Sequence, residues 1–383
     1  MIYLDNAATT FPKPKSVLTA MYNAQCLYGA NPGRSGHRLS VKAGETVYRC
    51  REKLAQRFSC ESENVIFTSN CTTALNTAIR GILEKGDHVI ISSLEHNSVL
   101  RPVHSLYERG IITYSVARVN PLDDNETLRN FAFHIKENTK AIIMTHVSNV
   151  FGTVLPVGKI AALCKVKGIT FILDAAQSAG SHAINMEKEG IDVICAPGHK
   201  GLMGPMGTGV LLFRKGTEIT ELTSGGTGSF SLNPDQPTVY PDRLESGTLN
   251  LPGIAGLEKG VDFIKAFGGE REIFRKESEL INILKEDLSV IPGVRLYSEM
   301  QGGKRSNVLS FNLGELHSEL VAAKLSQSGF CLRAGYHCSY LAHKTYGTKE
   351  KGCVRVSTGP FNTKKDVKNL AFCLNKIANA QNL

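Results

Sequence analysis

The chain has 383 residues, with 42% hydrophobic and 21% charged side chains, 36 glycines, ten cysteines and no tryptophan. That balance excludes a disordered or fibrous protein, and the length allows a buried core without disulfide or metal staples. The formal net charge of +9 comes from 44 Lys plus Arg against 35 Asp plus Glu spread along the sequence, with no basic tract interleaved with aromatics, so nucleic acid is not expected as a partner.

The N-terminus, Met1 to Asp5, shows no basic stretch leading into an apolar one, so no secretory signal is read. No apolar run approaches the roughly 18 residues that a membrane helix needs. A cytoplasmic protein with reduced thiols and no membrane partner is the expectation. In chain order, the stretch 41–58 places Val47, Cys50, Leu54 and Phe58 on one helical face. β-rich apolar runs follow at 65–69, 88–92, 111–117, 141–147, 169–174, 191–196 and 208–213, alternating with helix-length stretches such as 72–83, 97–109 and 160–167. This alternation predicts an α/β fold with a largely parallel, doubly wound sheet. Past Pro252 the pattern changes to long helical segments at 253–267 and 270–290, short strands around 294–297 and 307–312, and helices near 318–328 and 364–380. That reads as a smaller α+β domain, completed by the first dozen residues. The stretch from His343 to Lys351 is basic and polar and reads as a solvated hairpin.

None of the ten cysteines is paired at C-x-x-C spacing, so a zinc ribbon, a ferredoxin-type cluster and a thioredoxin motif gain no support. Most are expected to be small buried hydrophobes.

In an open α/β sheet, ligands gather at the carboxyl ends of the strands. The 65–69 strand runs into Asn70-Cys71-Thr72-Thr73 and then a helix, which suits an anion such as phosphate, or ordinary capping by Thr72. The 169–174 strand ends in Asp174-Ala175-Ala176-Gln177. The 191–196 strand ends in Pro197-Gly198-His199-Lys200-Gly201. A lysine between glycines after a buried strand reads as a loop lysine or as an amine that condenses with a carbonyl. Taken together, an anion site, an Asp and a Lys 26 positions beyond it match the needs of pyridoxal phosphate. That cofactor requires a phosphate cradle, an acid for its ring nitrogen and a lysine for its aldehyde.

The segments Leu4-Asp5-Asn6-Ala7-Ala8-Thr9-Thr10, Glu95-His96-Asn97-Ser98, Asp174-Ala175-Ala176-Gln177, Gly198-His199-Lys200, Glu245-Ser246-Gly247-Thr248 and Arg333-Ala334-Gly335-Tyr336-His337-Cys338 span nearly the whole chain. With them the sequence resembles a cysteine desulfurase of the class V aminotransferase family, a pyridoxal-phosphate-dependent transferase of fold type I. The resemblance implies a large cofactor-binding domain with a mostly parallel seven-stranded sheet over residues 14–255, and a small α+β domain over 256–383 with 1–13. It implies that Lys200 bonds the cofactor, Asp174 pairs with its ring nitrogen, Gln177 reaches its phenolic oxygen with Asn149 close by, and His96 stacks on the ring. The alternative for His96 is capping of the helix that follows it. Cys71, Thr72 and His199 would meet the phosphate, and Thr248 the phosphate of a second subunit, which implies a homodimer with shared sites.

Two departures from the family pattern weaken the expected phosphate cradle: Pro197 where Ser is common, and Thr73 where Glu is frequent. The resemblance also singles out Cys338. Arg333 and His337 beside it would favour the thiolate, and similar enzymes use this thiol to take sulfur from L-cysteine as a persulfide, leaving L-alanine. Arg355 would clamp the substrate carboxylate, with a surface salt bridge on a strand as the alternative reading, and Arg333 and His37 would also contact substrate. The 338–355 segment resembles the second desulfurase group, with its short catalytic loop, although that group often has His where Tyr336 stands. A short loop implies a dedicated sulfur-acceptor protein, of the kind that serves iron–sulfur cluster assembly. Selenocysteine lyase, another cysteine or cystine lyase, an aminotransferase and a non-catalytic scaffold are the competing readings.

Overall fold

A computed structural model describes residues 1–33, 35–297 and 306–381. Its larger sheet has seven strands in the order Val65–Thr68, Gly209–Phe213, Val193–Pro197, Thr170–Asp174, Thr139–Thr145, His88–Ser92 and Thr113–Ala117. All neighbours pair in parallel except Gly209–Phe213, which is antiparallel to both strands beside it. The expected α/β fold with a mostly parallel seven-stranded sheet is therefore what the chain forms.

The strands are continuous apolar runs because both faces are covered. Ile90, Ile142, Met144, Phe171, Leu173 and Ile194 enter one core layer, and Val89, Ile91, Ala141, Ile143, Ile172, Val193 and Cys195 enter the other. The side-chain period of two thus assigns alternate residues to opposite faces. Cys50 and Cys164 pack in the first layer and Cys195 in the second, as small buried hydrophobes.

A second sheet of four strands runs Arg333–Gly335, Cys353–Ser357, Val308–Leu313 and Val294–Leu296, all antiparallel. The helices Glu270–Ser289, Ser318–Gln327 and Lys364–Asn379 share a core with it through Leu284, Leu325, Phe311, Val354, Val356 and Leu370. The N-terminal strand Ile2–Tyr3 pairs in parallel with Phe330–Cys331, and Asp5 bridges to Ser357. The chain start is thereby carried to the C-terminal sheet.

Several elements differ from the sequence reading. The helix Lys15–Leu27 has only Val17 and Ala24 buried, too weak an apolar stripe to read beforehand. The 343–351 stretch is no solvated hairpin. It begins inside the helix Tyr340–Tyr346, where Leu341, Ala342 and His343 are buried and His343 Nδ1 lies 2.7 Å from Thr348 Oγ1. Its charged residues are confined to the outer face, so polar composition concealed a buried histidine. Arg333–Gly335, for which no strand was expected, is an edge strand whose partner is Cys353–Ser357.

Candidate active site

One cavity at the carboxyl ends of the large sheet is lined by Asn70, Cys71, Thr72, Leu75, His96, Ser98, Thr145, Asn149, Asp174, Ala176, Gln177, Pro197, His199 and Lys200. They come from strand ends, the turns after them and the starts of the helices Cys71–Ile82 and Asn97–Glu108 that follow, which is where a parallel sheet leaves its crevice.

The helix Cys71–Ile82 begins at this wall. Asn70 caps it, with Oδ1 accepting from Thr73 N at 2.9 Å. The capping satisfies the third residue and leaves the N–H groups of Cys71 and Thr72 at the cavity. The Cys71 thiol, pushed well up by burial and by the nearby carboxylate, donates to Asp174 Oδ1 at 3.7 Å. Asp174 is 2% exposed and also accepts from Ala176 N at 2.9 Å. Burial raises its pKa, while Lys200 and these hydrogen bonds oppose the rise.

Lys200 lines the cavity, and among the described residues its Nζ has no hydrogen-bond partner. Desolvation lowers its pKa, and Arg355 and Arg333 act in the same direction. His96 both lines the cavity and caps the helix Asn97–Glu108: its Nδ1 accepts from Ser98 N at 3.0 Å. An accepting Nδ1 requires the neutral ring with its hydrogen on Nε2, and desolvation next to Lys200 lowers its pKa to about 4. Ser98 Oγ continues the contact to Thr72 Oγ1 at 2.8 Å. His199, lowered to about 4 by burial, sets Nδ1 3.1 Å from Thr9 Oγ1. Gln177 donates from Nε2 to Ala7 O at 3.0 Å.

The four-stranded sheet brings the remaining groups to this site. Arg355, 1% exposed, donates from Nη2 to Asp5 Oδ1 at 2.6 Å and from Nη1 to Asn149 O at 2.9 Å, while its Nε has no partner. It belongs to an inner strand and is not a surface residue. Arg333 lies directly opposite it on the edge strand, with Nη2 3.9 Å from Cys338 Sγ. Cys338 is exposed. His337 and Cys338 are consecutive non-glycine residues in the left-handed region, at φ 48° and 58°.

His337 does not supply the positive charge expected beside Cys338. It is 2% exposed, its Nε2 lies 3.0 Å from Cys353 O, and burial beside Arg355 lowers its pKa to about 2. The ring is neutral, which leaves Arg333 as the cation at the thiol.

Thr248 and His37 do not line the cavity. Both are exposed in the single chain, and His37 caps the helix Arg38–Phe58 through Nδ1, which accepts from Ser40 N at 3.3 Å. Sequence reading assigned no role to Asp5, Lys13, Ser98 or Ser339. Asp5 and Ser98 lie in segments that carried the family resemblance, so a signal was present without a role attached. Lys13 donates to His199 O at 2.6 Å and is lowered to about 8 by burial, a contact 186 positions apart that nothing local announces.

The residues present fit pyridoxal phosphate. An unpartnered, desolvated amine, a buried carboxyl group and free N–H groups at a helix start share one cavity, and each answers one part of that cofactor. Among the described residues no group of His, Cys, Asp and Glu is arranged to hold a metal ion.

Comparison with known proteins agrees with this chemistry. Residues 2–370 match the model of the aminotransferase class-V family. A probable cysteine desulfurase from Methanothermobacter thermautotrophicus is 32% identical over 386 aligned positions, covering 98% of this chain and 94% of that protein. A cysteine desulfurase from Salmonella dublin is 31% identical, covering 98% of this chain and 93% of that protein. The apo structure of a cysteine desulfurase from Thermococcus onnurineus superposes with a TM-score of 0.91 at 31% identity, over 99% of this chain and 95% of that one.

Proposed function

The chain belongs to the class V aminotransferase family, and from that membership and the geometry of its site we propose that it is a pyridoxal-phosphate-dependent cysteine desulfurase. It takes sulfur from L-cysteine, releases L-alanine and carries the sulfur as a persulfide on Cys338. One observation carries the reading: Arg333 and Arg355 are cross-strand partners, and Arg333 Nη2 is 3.9 Å from the exposed Cys338 thiol. Like charges directly opposite each other are destabilising, and Asp5 offsets only Arg355. A substrate carboxylate between the guanidinium groups relieves that repulsion and brings the substrate's sulfur towards Cys338.

When bound, pyridoxal phosphate supplies an aldehyde for amines and a ring that draws electron density from the substrate's α-carbon. Lys200 would be the residue that bonds it, and the lowered pKa of Nζ would let the same amine accept the α-proton. Asp174 would face the ring nitrogen and Gln177 the phenolic oxygen, with Asn149 close by. Cys71, Thr72 and His199 would hold the phosphate, and neutral His96 would cover the ring. Arg355 and Arg333 orient the substrate carboxylate, with His37 at the entrance. The Cys338 sulfur, beside Arg333, attacks the substrate's sulfur. The C–S bond breaks, an S–S bond forms, and the carbon that loses sulfur gains a proton. Cysteine plus the Cys338 thiol thus become alanine plus the Cys338 persulfide.

Residues 14–255 form the large domain in this reading, and 256–383 with 1–13 the small one. Thr248 and His37 complete the site of a second subunit. Exposed Leu18, Tyr22, Leu39 and Tyr48 on the first two helices support such a homodimer. The exposed Cys338 suits handover to a sulfur-acceptor protein, and ten free cysteines suit the cytoplasm. No described helix is long and apolar enough to cross a membrane.

Alanine and sulfide release from L-cysteine, and alanine and selenide release from L-selenocysteine, test the reading in the wild type and in Cys338→Ala. The variant is expected to keep its cofactor and lose sulfur release from cysteine. Full activity on cysteine in that variant contradicts the role of Cys338.

A further inference from the structure

Asn149 lines the cofactor cavity, yet its side-chain amide is turned to the loop that carries Cys338. Nδ2 donates to His337 O at 2.8 Å, and Oδ1 accepts from Ser339 Oγ at 2.7 Å. The two bonds bracket Cys338 from either side. Its own carbonyl accepts from Asn97 N at 2.8 Å, the first N–H of the helix that His96 caps. Ser339 N donates back to Tyr336 O at 3.0 Å, which closes the turn.

The loop needs this holding. His337 and Cys338 both lie in the left-handed region, where Cβ crowds the following carbonyl oxygen. Two such residues in succession persist only where the surroundings over-determine them. Three of the fixing contacts come from the large domain, two of them from Asn149, 188 and 190 positions away in the chain. Asn149 also accepts from Arg355 through its backbone carbonyl at 2.9 Å. One residue thereby ties the guanidinium, the cofactor cavity and the thiol loop into a single frame.

We propose that Asn149 and Ser339 form a clasp that positions the Cys338 thiol for sulfur capture, with Asn149 acting on the loop through its side-chain amide. The proposal rests on Cys338 being the sulfur acceptor. The clasp does no bond chemistry: it selects the strained loop conformation over relaxed ones in which the thiol leaves Arg333.

The test uses the cofactor-loaded enzyme and the variants Ser339→Ala, Ser339→Thr, Asn149→Ala and Asn149→Asp. Hydrogen exchange of the 336–340 amides reads the loop directly. Ser339→Ala should speed that exchange and lower kcat, each about threefold to tenfold, the equivalent of one hydrogen bond, with KM for L-cysteine unchanged. Ser339→Thr, which keeps the hydroxyl, should restore both. Asn149→Asp, which keeps the acceptor and loses the donor, should fall between wild type and Asn149→Ala. Unchanged loop exchange and kcat in Ser339→Ala overturn the clasp. So does an Asn149→Ala variant that loses cofactor while the loop stays protected, because the amide then serves the cofactor instead. If sulfur never reaches Cys338 in the wild type, the functional reading fails, whereas the clasp is still decided by exchange of residues 336–340.

Discussion

The two halves of the site are built on opposite principles. The wall from the large sheet holds Asp174, His96 and Lys200 on the ends of regular elements, surrounded by protein, with their protonation set by burial and neighbours. Cys338 itself is exposed, on a backbone-strained loop that is held by bonds to that wall. The difference follows from the tasks. Groups that keep a cofactor in one electronic state gain from low dielectric and fixed geometry. A thiol that must hand sulfur onward has to meet solvent, so its position comes from discrete contacts.

Substitutions separate the halves. Lys200→Ala should have the largest effect, a loss of at least about a thousandfold in alanine formation, because it removes both the bond to the cofactor and the proton acceptor. Borohydride reduction followed by peptide mapping checks it, and a cofactor adduct retained on another lysine would undo the division. Cys338→Ala should lower sulfur release from cysteine at least about a hundredfold while cofactor content stays at the wild-type level. Loss of the cofactor with the thiol would mean that wall and loop are one structural unit.

Arg355→Lys should raise KM for L-cysteine about tenfold or more with a smaller change in kcat, since a lysine cannot serve Asp5, the Asn149 carbonyl and a carboxylate in one plane. An unchanged KM argues against the carboxylate clamp.

The smallest effect concerns stability. His96, His182 and His199 sit at about 4 in the folded chain and His337 at about 2, all below the unfolded value near 6.5. Below that value the unfolded chain takes up protons that the folded chain refuses. These groups therefore make stability fall as pH drops from about 6.5 towards 4. Glu95 and Glu277, raised to about 8 by burial, act oppositely: their folded forms hold protons that the unfolded chain gives up, and stability falls as pH rises from about 4.5 to 8. Thermal unfolding of Glu277→Gln across that range should show a flatter alkaline limb and an unchanged acid limb. A change confined to the acid limb would contradict the assignment.

The same contrast governs what the sequence revealed. Strands such as His88–Ser92 and Thr170–Asp174 were legible because burial on both faces writes an unbroken apolar run. The strand ends pointed to Lys200 and Asp174 for the same reason. The loop was legible only as a resemblance. Its strand Arg333–Gly335 is three residues long, its helix Tyr340–Tyr346 hides His343 among polar neighbours, and neutral His337 lacks the charge expected of it. Contacts between Asn149 and Ser339, or Arg355 and Asp5, depend on tertiary closure and leave no local periodicity.

The account turns on where the sulfur goes. The most direct measurement is the mass of the cofactor-loaded protein after a single turnover with L-cysteine in the absence of reductant, followed by peptide mapping. The account predicts a gain of one sulfur atom on the peptide that carries Cys338, matched by alanine and absent from Cys338→Ala. Alanine formed with the added sulfur on another cysteine, or with none bound to the protein, would contradict it.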